Sequence, residues 1–371
     1  MSRAAVLLAA VVLVATACGS PQPPPATPPT SSAPAGPSLS ALEGWQQIEL
    51  SLDNPQVRLT TLVAAGAGFV AAGGSPQGAL AWSSADGEAW VQETVPGGMR
   101  FPTEAVSWGD RVLLVGGAEE ARCAHPAAID TWVRDAAGQW SHAPFQEIFC
   151  AGGSAEVAVA GGLAVIVGAG AGDQAYTWSS GDGLHWVDHP GVFDGIGLPS
   201  GVLATAAGFV ALGWSEQGPW FERTVDGGTW RDHAKLPGPT QGRPLGAAVI
   251  GTRLVVFLGD PAGPVRRLSS EEPSTWTVDR AEGLVSSSLI RIEAIPGGLV
   301  AIGGEEQGPA LWVSGDGVAW RRVTLPQGAV GGYIAGVAVG QGRAVILGGV
   351  STPAGDIVPA GWVGPASLLA S

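Results

Sequence analysis

One short stretch decides the fold of this chain: Ser180-Gly181-Asp182-Gly183-Leu184-His185-Trp186. It combines a small hydroxyl residue, an Asp-Gly pair and a Trp four residues after the Asp. Close copies occupy residues 84–90, 224–230 and 314–320, and two weaker copies end at Trp140 and Trp276. The six tryptophans that end these copies are spaced by 50, 46, 44, 46 and 44 residues. Such a period indicates a repeat architecture.

Each repeat contains four short runs of strand-forming residues separated by glycine turns. In the third repeat the runs cover residues 155–160, 163–168, 175–179 and 185–188. Four such runs form one antiparallel sheet, whose faces must be covered by neighbouring repeats. A period of 44 to 50 residues with four strands therefore predicts the blades of a β-propeller. A β-helix or a stacked sandwich fits less well, because its repeats are shorter or lack the regular turn.

The two ends of the chain determine the number of blades. Residues 333–366 supply two apolar runs and then Trp362, which takes the third-strand position of a seventh repeat. Residues 44–50 resemble the fourth strand that this repeat lacks. We therefore expect an all-β fold, a seven-bladed β-propeller of four-stranded antiparallel blades, closed by the N-terminal strand in the last blade. Six or eight blades are the alternatives, and closure removes free sheet edges.

The recurring turn resembles the Asp-box of the sialidase and BNR-repeat propellers, Ser/Thr-x-Asp-x-Gly-x-Thr-Trp, with one residue fewer between Asp and Trp. The resemblance covers residues 43–366 and implies a structural role for the box, on the face away from the usual ligand site. Asp can accept backbone N–H bonds there, while Gly takes a positive φ and Trp packs between blades. Contact with a metal or a ligand is the alternative. The residues concerned are Asp86, Asp182, Asp226, Asp316, Trp90, Trp186, Trp230 and Trp320.

The N-terminus predicts export and a lipid anchor. Residues 1–17 contain an apolar run over 4–14 that is too short to span a membrane, followed by Ala15-Thr16-Ala17. With Cys18 this ending resembles a bacterial lipobox, which implies lipidation of Cys18 on the extracytoplasmic side of the cell membrane. An ordinary secretory signal is the alternative. Residues 18–42 are rich in Pro, Ser and Ala and predict a disordered tether, so the propeller should occupy 43–371.

Composition excludes one class of partner. The net charge is −14 with only 18 basic residues, whereas a nucleic-acid-binding protein requires a positive surface. The 58 glycines and 15 tryptophans suit an all-β repeat with many tight turns. No cofactor or metal is expected, and we expect a monomer.

Two cysteines follow Cys18. Cys123 and Cys150 fall in connections that a propeller places on one face, and an oxidising compartment favours a disulfide between them. A zinc site formed by the two cysteines with His125 and His142 is the alternative.

Sialidase activity, as the resemblance would imply it, requires an arginine triad, a Tyr nucleophile paired with Glu, and an Asp acid/base. The chain contains only two tyrosines, Tyr176 and Tyr333, and lacks the Arg-Ile-Pro motif of sialidases. It also lacks a nucleophile elbow, a zinc-protease motif and a phosphate loop. We therefore predict that the chain is not an enzyme.

Loops between second and third strands are the candidate binding surface. They carry carboxylates in most blades, which could hold a cation or a basic partner or merely maintain solubility. Blade four adds two tryptophans that could stack on sugar rings or pack between blades. The predicted function is a non-catalytic binding or assembly module for a protein or an envelope glycan; a carbohydrate-active enzyme or a structural envelope protein is the alternative. The candidate binding residues are Trp214, Glu216, Trp220, Asp260, Glu305 and Glu306.

Overall fold

The computed structural model describes residues 44–48, 50, 56–97, 101–118, 128–143, 154–169, 175–193, 195–238, 241–260, 263–271, 275–306, 308–326 and 332–370. The predicted signal peptide and tether lie outside these ranges. Cys18, Cys123 and Cys150 also lie outside the described residues, and with them the predicted lipidation and disulfide. Within the described ranges, no helix has the length and apolar character needed to cross a membrane.

The strands form seven four-stranded antiparallel sheets, one per blade. Blade one comprises β2 (Arg58–Ala65), β3 (Gly68–Ser75), β4 (Gly78–Ser84) and β5 (Val91–Glu93). Blade two comprises β6 (Pro102–Trp108), β7 (Arg111–Ala118), β8 (Ala128–Arg134) and β9 (Trp140–His142). Blade three comprises β10 (Ser154–Ala160), β11 (Leu163–Ala169), β12 (Ala175–Ser180) and β13 (Val187–Asp188). Blade four comprises β14 (Leu198–Thr205), β15 (Gly208–Ser215), β16 (Gly218–Thr224) and β17 (Arg231–Lys235).

Blade five comprises β18 (Arg243–Ile250), β19 (Arg253–Gly259), β20 (Pro264–Ser270) and β21 (Thr277–Val285). Blade six comprises β22 (Leu289–Ile295), β23 (Gly298–Glu305), β24 (Gly308–Ser314) and β25 (Arg321–Val323). Blade seven comprises β26 (Tyr333–Gly340), β27 (Arg343–Ser351), β28 (Ile357–Pro365) and β1 (Gln46–Ile48). Short 3-10 turns occupy Ser286–Ser288 and Ala366–Leu369.

The N-terminal strand closes the ring. β1 pairs antiparallel with β28, so that Gln46 lies opposite Val363 and Ile48 lies opposite Gly361. Trp45, only 4% exposed, packs in the core shared by blades six and seven. The prediction of seven blades completed by the N-terminal strand is confirmed.

The first strand of each blade is the innermost one. β2 contacts β26 and β6, β10 contacts β6 and β14, and β18 contacts β14 and β22, so the inner strands surround a central channel. Because the strands of a blade are antiparallel in sequence order, all inner strands begin at one face of the ring. We call this the top face, and it also carries the turns between second and third strands. The opposite, bottom face carries the Asp-Gly turns.

Apolar layers between the blades form the core. On five third strands, the same register position holds a tryptophan that is at most 6% exposed and packs against the preceding blade. Removing such large apolar surfaces from water is the main driving force for closing the ring. These residues are Trp82, Trp132, Trp178, Trp312 and Trp362.

The Asp-Gly turns share one set of hydrogen bonds. In blade four, Asp226 Oδ1 accepts the backbone N–H groups two and three residues ahead at 3.0 and 2.7 Å, and the Thr224 hydroxyl at 2.9 Å. These N–H groups hold the pKa of Asp226 down to about 2. Gly227 has a φ of 75°, and its carbonyl accepts the Trp230 indole N–H at 3.1 Å. The carboxylate contact with the N–H two residues ahead recurs at Asp86, Asp182 and Asp316.

Each of these turns is seated against the blade before it. The Thr131 hydroxyl of blade two donates to the Gly183 carbonyl of blade three at 3.1 Å. A Cβ on Gly183 would lie 2.6 Å from a methyl carbon of Val133, so the turn has no space for a larger residue. Trp90, Trp186 and Trp320 are at most 9% exposed and pack in the same inter-blade layers. The contacts of the turns are therefore structural ones.

Candidate functional site at the top face and central channel

Blade four separates its two predicted ligand-stacking tryptophans. Trp214, at the top end of β15, is 40% exposed, and Glu216 beside it is also exposed. Trp220 is 1% exposed and packs on Phe193, with ring centroids 5.3 Å apart. Trp220 therefore belongs to the core between blades three and four, and its assignment as a ligand-stacking residue is corrected. Both faces of β16 are buried, since Trp220 packs toward blade three and Phe221 toward blade five.

The predicted top-face carboxylates are spread over blades four, five and six. Glu305 pairs with Arg322 of its own blade at 2.7 Å, and both side chains are exposed. Asp260 lies 4.0 Å from Arg266 in blade five, and Glu306 is exposed. In the part of the chain that the structure describes, no three His, Cys, Asp or Glu side chains come close enough together to hold a metal ion.

The central channel is the other part of the molecule that could hold a ligand. A cavity of about 720 Å³ is lined by the inner strands of blades two to six, β6, β10, β14, β18 and β22. A smaller recess of about 70 Å³ adjoins β2, β6, β22 and β26 and includes Glu104, Arg291 and Glu293. Charged side chains thus line the axis of the ring.

One layer of equivalent positions contains most of this charge, and we call it the charged layer. Each member lies on the first strand of its blade and pairs with the corresponding residue of the second strand. In six blades the pairing register shifts immediately before this member. At three of these shifts the hydroxyl of the bulged residue donates to a second-strand carbonyl, as Thr103 does to Val115 at 3.3 Å. The members, in blade order, are Thr61, Glu104, Glu156, Gly201, Gly246, Arg291 and Gly336.

The charged layer is acidic on balance. Arg291 donates through Nε to the Glu293 carboxylate and through Nη2 to the Ala335 carbonyl at 2.6 Å. Among the described residues, neither Glu104 nor Glu156 has a hydrogen bond. Both carboxylates contact the solvent of the channel on one side, and protein surrounds them on their other sides.

This enclosure perturbs both carboxyls. Burial raises the pKa of Glu104 well above its usual range, and repulsion from Glu156 and Glu293 adds to the effect against the opposing attraction of Arg291. Burial likewise raises the pKa of Glu156 to about 7, where Arg291 opposes the shift and Glu293 adds to it. Glu156 therefore titrates near neutral pH, and Glu104 keeps its proton to a higher pH than an ordinary glutamate does.

A second perturbed carboxyl lies inside blade four. Glu222 is 4% exposed and lies at the third-strand position that holds tryptophan in five other blades. Burial raises its pKa to about 7, and its nearest ionisable partner is His233 Nδ1 at 3.3 Å. Glu222 lies between blades and away from the channel lining.

Exposed apolar side chains are distributed unevenly between the two faces. Ten large hydrophobic residues among those described have 38% or more of their surface exposed. The five near the bottom face are all valines, whereas those at strand ends of the top face include both aromatic residues of the set. The top-face members are Phe101, Trp214, Val285, Ile290 and Ile357.

Comparison with known proteins establishes the architecture. No protein-family model matches the chain, and no curated protein matches it in sequence. The solved structure of YCF48 bound to a D1 peptide matches with a TM-score of 0.56 and 17% identity, over 86% of this chain and 95% of that one. An inactive variant of virginiamycin B lyase from Staphylococcus aureus with quinupristin matches with a TM-score of 0.55 and 12% identity, over 86% and 99%. The shared feature is the propeller fold.

A sialidase is among the similar structures as well. The Trypanosoma rangeli enzyme in complex with 2,3-difluoro-KDN matches with a TM-score of 0.50 and 13% identity, over 88% of this chain and 59% of that one. At these identities the likeness extends to the fold alone.

Proposed function

We propose that the chain is a non-catalytic binding module that holds a polypeptide partner at its top face. The observation that carries this proposal is the set of exposed apolar side chains on the top face, with Phe101 and Trp214 as its aromatic members. Exposed apolar patches rimmed by polar residues are typical of protein-binding surfaces. Aromatic side chains supply much of the binding energy at such surfaces. That YCF48, a propeller of similar fold, is described as bound to a peptide supports the proposal.

The test compares truncations of exposed apolar side chains on the two faces. The full wild-type chain and its variants Trp214→Ala and Phe101→Ala are each used to capture partners from an envelope extract. The amounts of captured protein are then compared. Loss of an anchoring aromatic side chain should reduce the affinity by roughly tenfold or more. Val225→Ala, at a side chain that is 76% exposed on the bottom face, is the matched control. Equal capture by the wild type and both aromatic variants would contradict the proposal, and a glycan array with the same variants tests the polysaccharide alternative.

The proposed location is the extracytoplasmic face of the cell membrane, with a lipid on Cys18 and residues 18–42 as the tether. The support is the apolar run followed by small residues and Cys18 in the sequence. We expect Cys18→Ala to abolish incorporation of labelled palmitate and to release the protein from the membrane fraction. Retention of the label by Cys18→Ala would contradict the lipid anchor.

A carbohydrate-active enzyme is the second candidate, and the channel carboxyls favour it. Glycoside hydrolysis requires a carboxylic acid that stays protonated near neutral pH next to an ionised one, and Glu104 and Glu156 have raised pKa values. A tyrosine nucleophile is poorly supported, since the Tyr333 hydroxyl donates to the Leu59 carbonyl at 2.9 Å and its pKa is raised by burial. Release of sugar from envelope glycans, abolished by Glu156→Gln, would establish this candidate in place of the first.

A further inference from the structure

The starting observation is an uneven distribution of side chains within the charged layer. Blades two and three contribute Glu104 and Glu156, whereas blades four and five contribute Gly201 and Gly246. A Cβ on Gly201 would meet no atom within 4 Å, so the cavity is open on that side of the ring. The two carboxylates therefore border free space within the cavity of about 720 Å³.

The charge of this space is uncompensated. Arg291 is the cation of the layer, and its hydrogen bonds are directed at Glu293 and at the Ala335 carbonyl. Glu104 and Glu156 have no hydrogen bond among the described residues and repel each other within the ring. Partial burial of a carboxylate disfavours its ionised form, and a cation placed beside it favours that form. The cavity is thus complementary to one positive charge and repels anions.

The residues around the cavity indicate which kind of cation fits it. The described residues provide no cluster of three metal ligands, so a coordinated divalent ion lacks its ligand set. An ammonium or guanidinium group needs only two carboxylate acceptors and space for an alkyl stem. The charged layer occupies the third or fourth residue of each inner strand, in the half nearer the top face, so a side chain can reach it from that face.

We infer that the channel receives a lysine or arginine side chain of an extended polypeptide bound at the top face, whose cationic group lies between Glu104 and Glu156. This inference rests on the proposed function, since the cation is carried by the polypeptide partner. The apolar top-face residues hold the backbone and apolar side chains of the segment, and the channel selects for a basic residue within it.

The test is a selection from a random peptide display library on the full chain purified in detergent. Peptides enriched on the wild type should share a lysine or arginine. The variant Glu104→Gln/Glu156→Gln should lose that shared basic residue and bind the selected peptide about tenfold or more weakly, since a charged hydrogen bond is lost. Glu88→Gln/Glu271→Gln removes the same charge from the bottom face and is the matched control, which should leave both readouts unchanged.

The outcomes separate this inference from the proposed function. Enriched peptides without a basic residue, or an unchanged basic preference in Glu104→Gln/Glu156→Gln, would overturn the inference and leave peptide binding intact. Failure to enrich any peptide would contradict the proposed function itself. Glu156→Gln alone serves as a second variant if the double variant melts far below the wild type, because Glu156 is open to the channel.

A pH titration gives a second readout. The charged groups that face the cavity are Glu104, Glu156, Glu293 and Arg291. Binding of the selected peptide should weaken from about pH 8 to about pH 5.5, as Glu156, with its pKa of about 7, takes up a proton. This dependence should disappear in Glu104→Gln/Glu156→Gln. A pH dependence that persists in the variant would overturn the assignment of the cation to these two carboxylates.

Discussion

In blade four a carboxyl group takes the place of an indole. Glu222 lies opposite Ala211 in the same register that places Trp82 opposite Ala71 in blade one. The site is 4% exposed, and its nearest ionisable neighbour is the partly exposed His233 at 3.3 Å. Burial favours the neutral acid, so that ionisation of Glu222 works against the folded state.

We therefore predict that Glu222→Gln raises the stability of the folded protein, by an amount that depends on pH. The folded pKa of about 7 lies above the ordinary value of 4.5, so the stability that depends on the neutral acid is complete below about pH 4.5 and lost as the pH rises through 7. Glu222→Gln should therefore stabilise the protein by about 1–3 kcal/mol at pH 8 and change it little at acid pH. Thermal melting at both pH values measures this, with exposed Glu216→Gln as control. An equal shift at both pH values would show that ionisation of Glu222 is not responsible.

The Asp-Gly turn is the element that packs each blade against the preceding one. Its carboxylate organises the turn, its glycine carbonyl receives the indole N–H, and its tryptophan fills the gap between blades. At Asp226 the two backbone N–H bonds are 2.7 and 3.0 Å long. Since the same element recurs around the ring, its effect on stability is distributed over several blade interfaces.

We expect Asp226→Ala to destabilise the protein by about 1 kcal/mol, the usual effect of losing a carboxylate that caps backbone N–H groups. The pKa of Asp226 is lowered from 3.8 to about 2, so its contribution is present above pH 3.8 and lost as the pH falls through 2. Urea denaturation at neutral and acid pH measures both effects.

The control for this element is Asp110→Ala, an exposed aspartate in the bottom-face turn between β6 and β7. It removes the same charge from the same face. If the Asp226→Ala protein were as stable as the Asp110→Ala protein, a structural role for the turn carboxylate would be contradicted.

At the scale of the whole molecule, stability depends on closing the ring. Blade seven is built from β26, β27 and β28 and from β1 at the other end of the described chain. Trp45, directly before β1, packs with Trp362 and with residues of blade six. Loss of this contact should loosen blade seven and expose the edge of β28.

Trp45→Ala tests this closure. We expect a loss of about 3–5 kcal/mol, as for other buried aromatic side chains, together with aggregation on heating through the freed strand edge. Denaturation and light scattering measure the two effects. Val225→Ala, at an exposed turn, should stay within about 0.5 kcal/mol of the wild type. A Trp45→Ala protein as stable as Val225→Ala would mean that β1 contributes little to closure.

Six blades could be predicted because each ends in a marker tryptophan, and the seventh because residues 333–366 repeat the first three strands and residues 44–50 resemble the fourth. The charged layer could not be predicted, since Glu104, Glu156 and Arg291 belong to separate repeats and meet only through closure. A signal was nevertheless present: Glu156 interrupts the apolar run over 155–160, and Arg291 and Glu293 interrupt the run over 290–295.

Blade four illustrates the same limit at one site. The position eight residues before the repeat tryptophan holds Trp in blades one, two, three and six, Leu268 in blade five and Glu222 in blade four, where it marks the perturbed carboxyl. Trp214 and Trp220 look alike in the sequence, whereas Trp214 lies at the exposed top end of β15 and Trp220 lies within β16, which is buried on both faces. Burial depends on the facing blade, which local sequence does not encode.

The pairing of β1 with β28 also orders events in time. During synthesis β1 emerges before every other described strand, yet its partner β28 emerges after all of them. Until then the nascent ring exposes an unpaired edge at blade seven, which proteases and other chains can reach. The protein therefore passes from vulnerable to resistant in one late step, and its lifetime under proteolysis is determined by how rarely that step reverses.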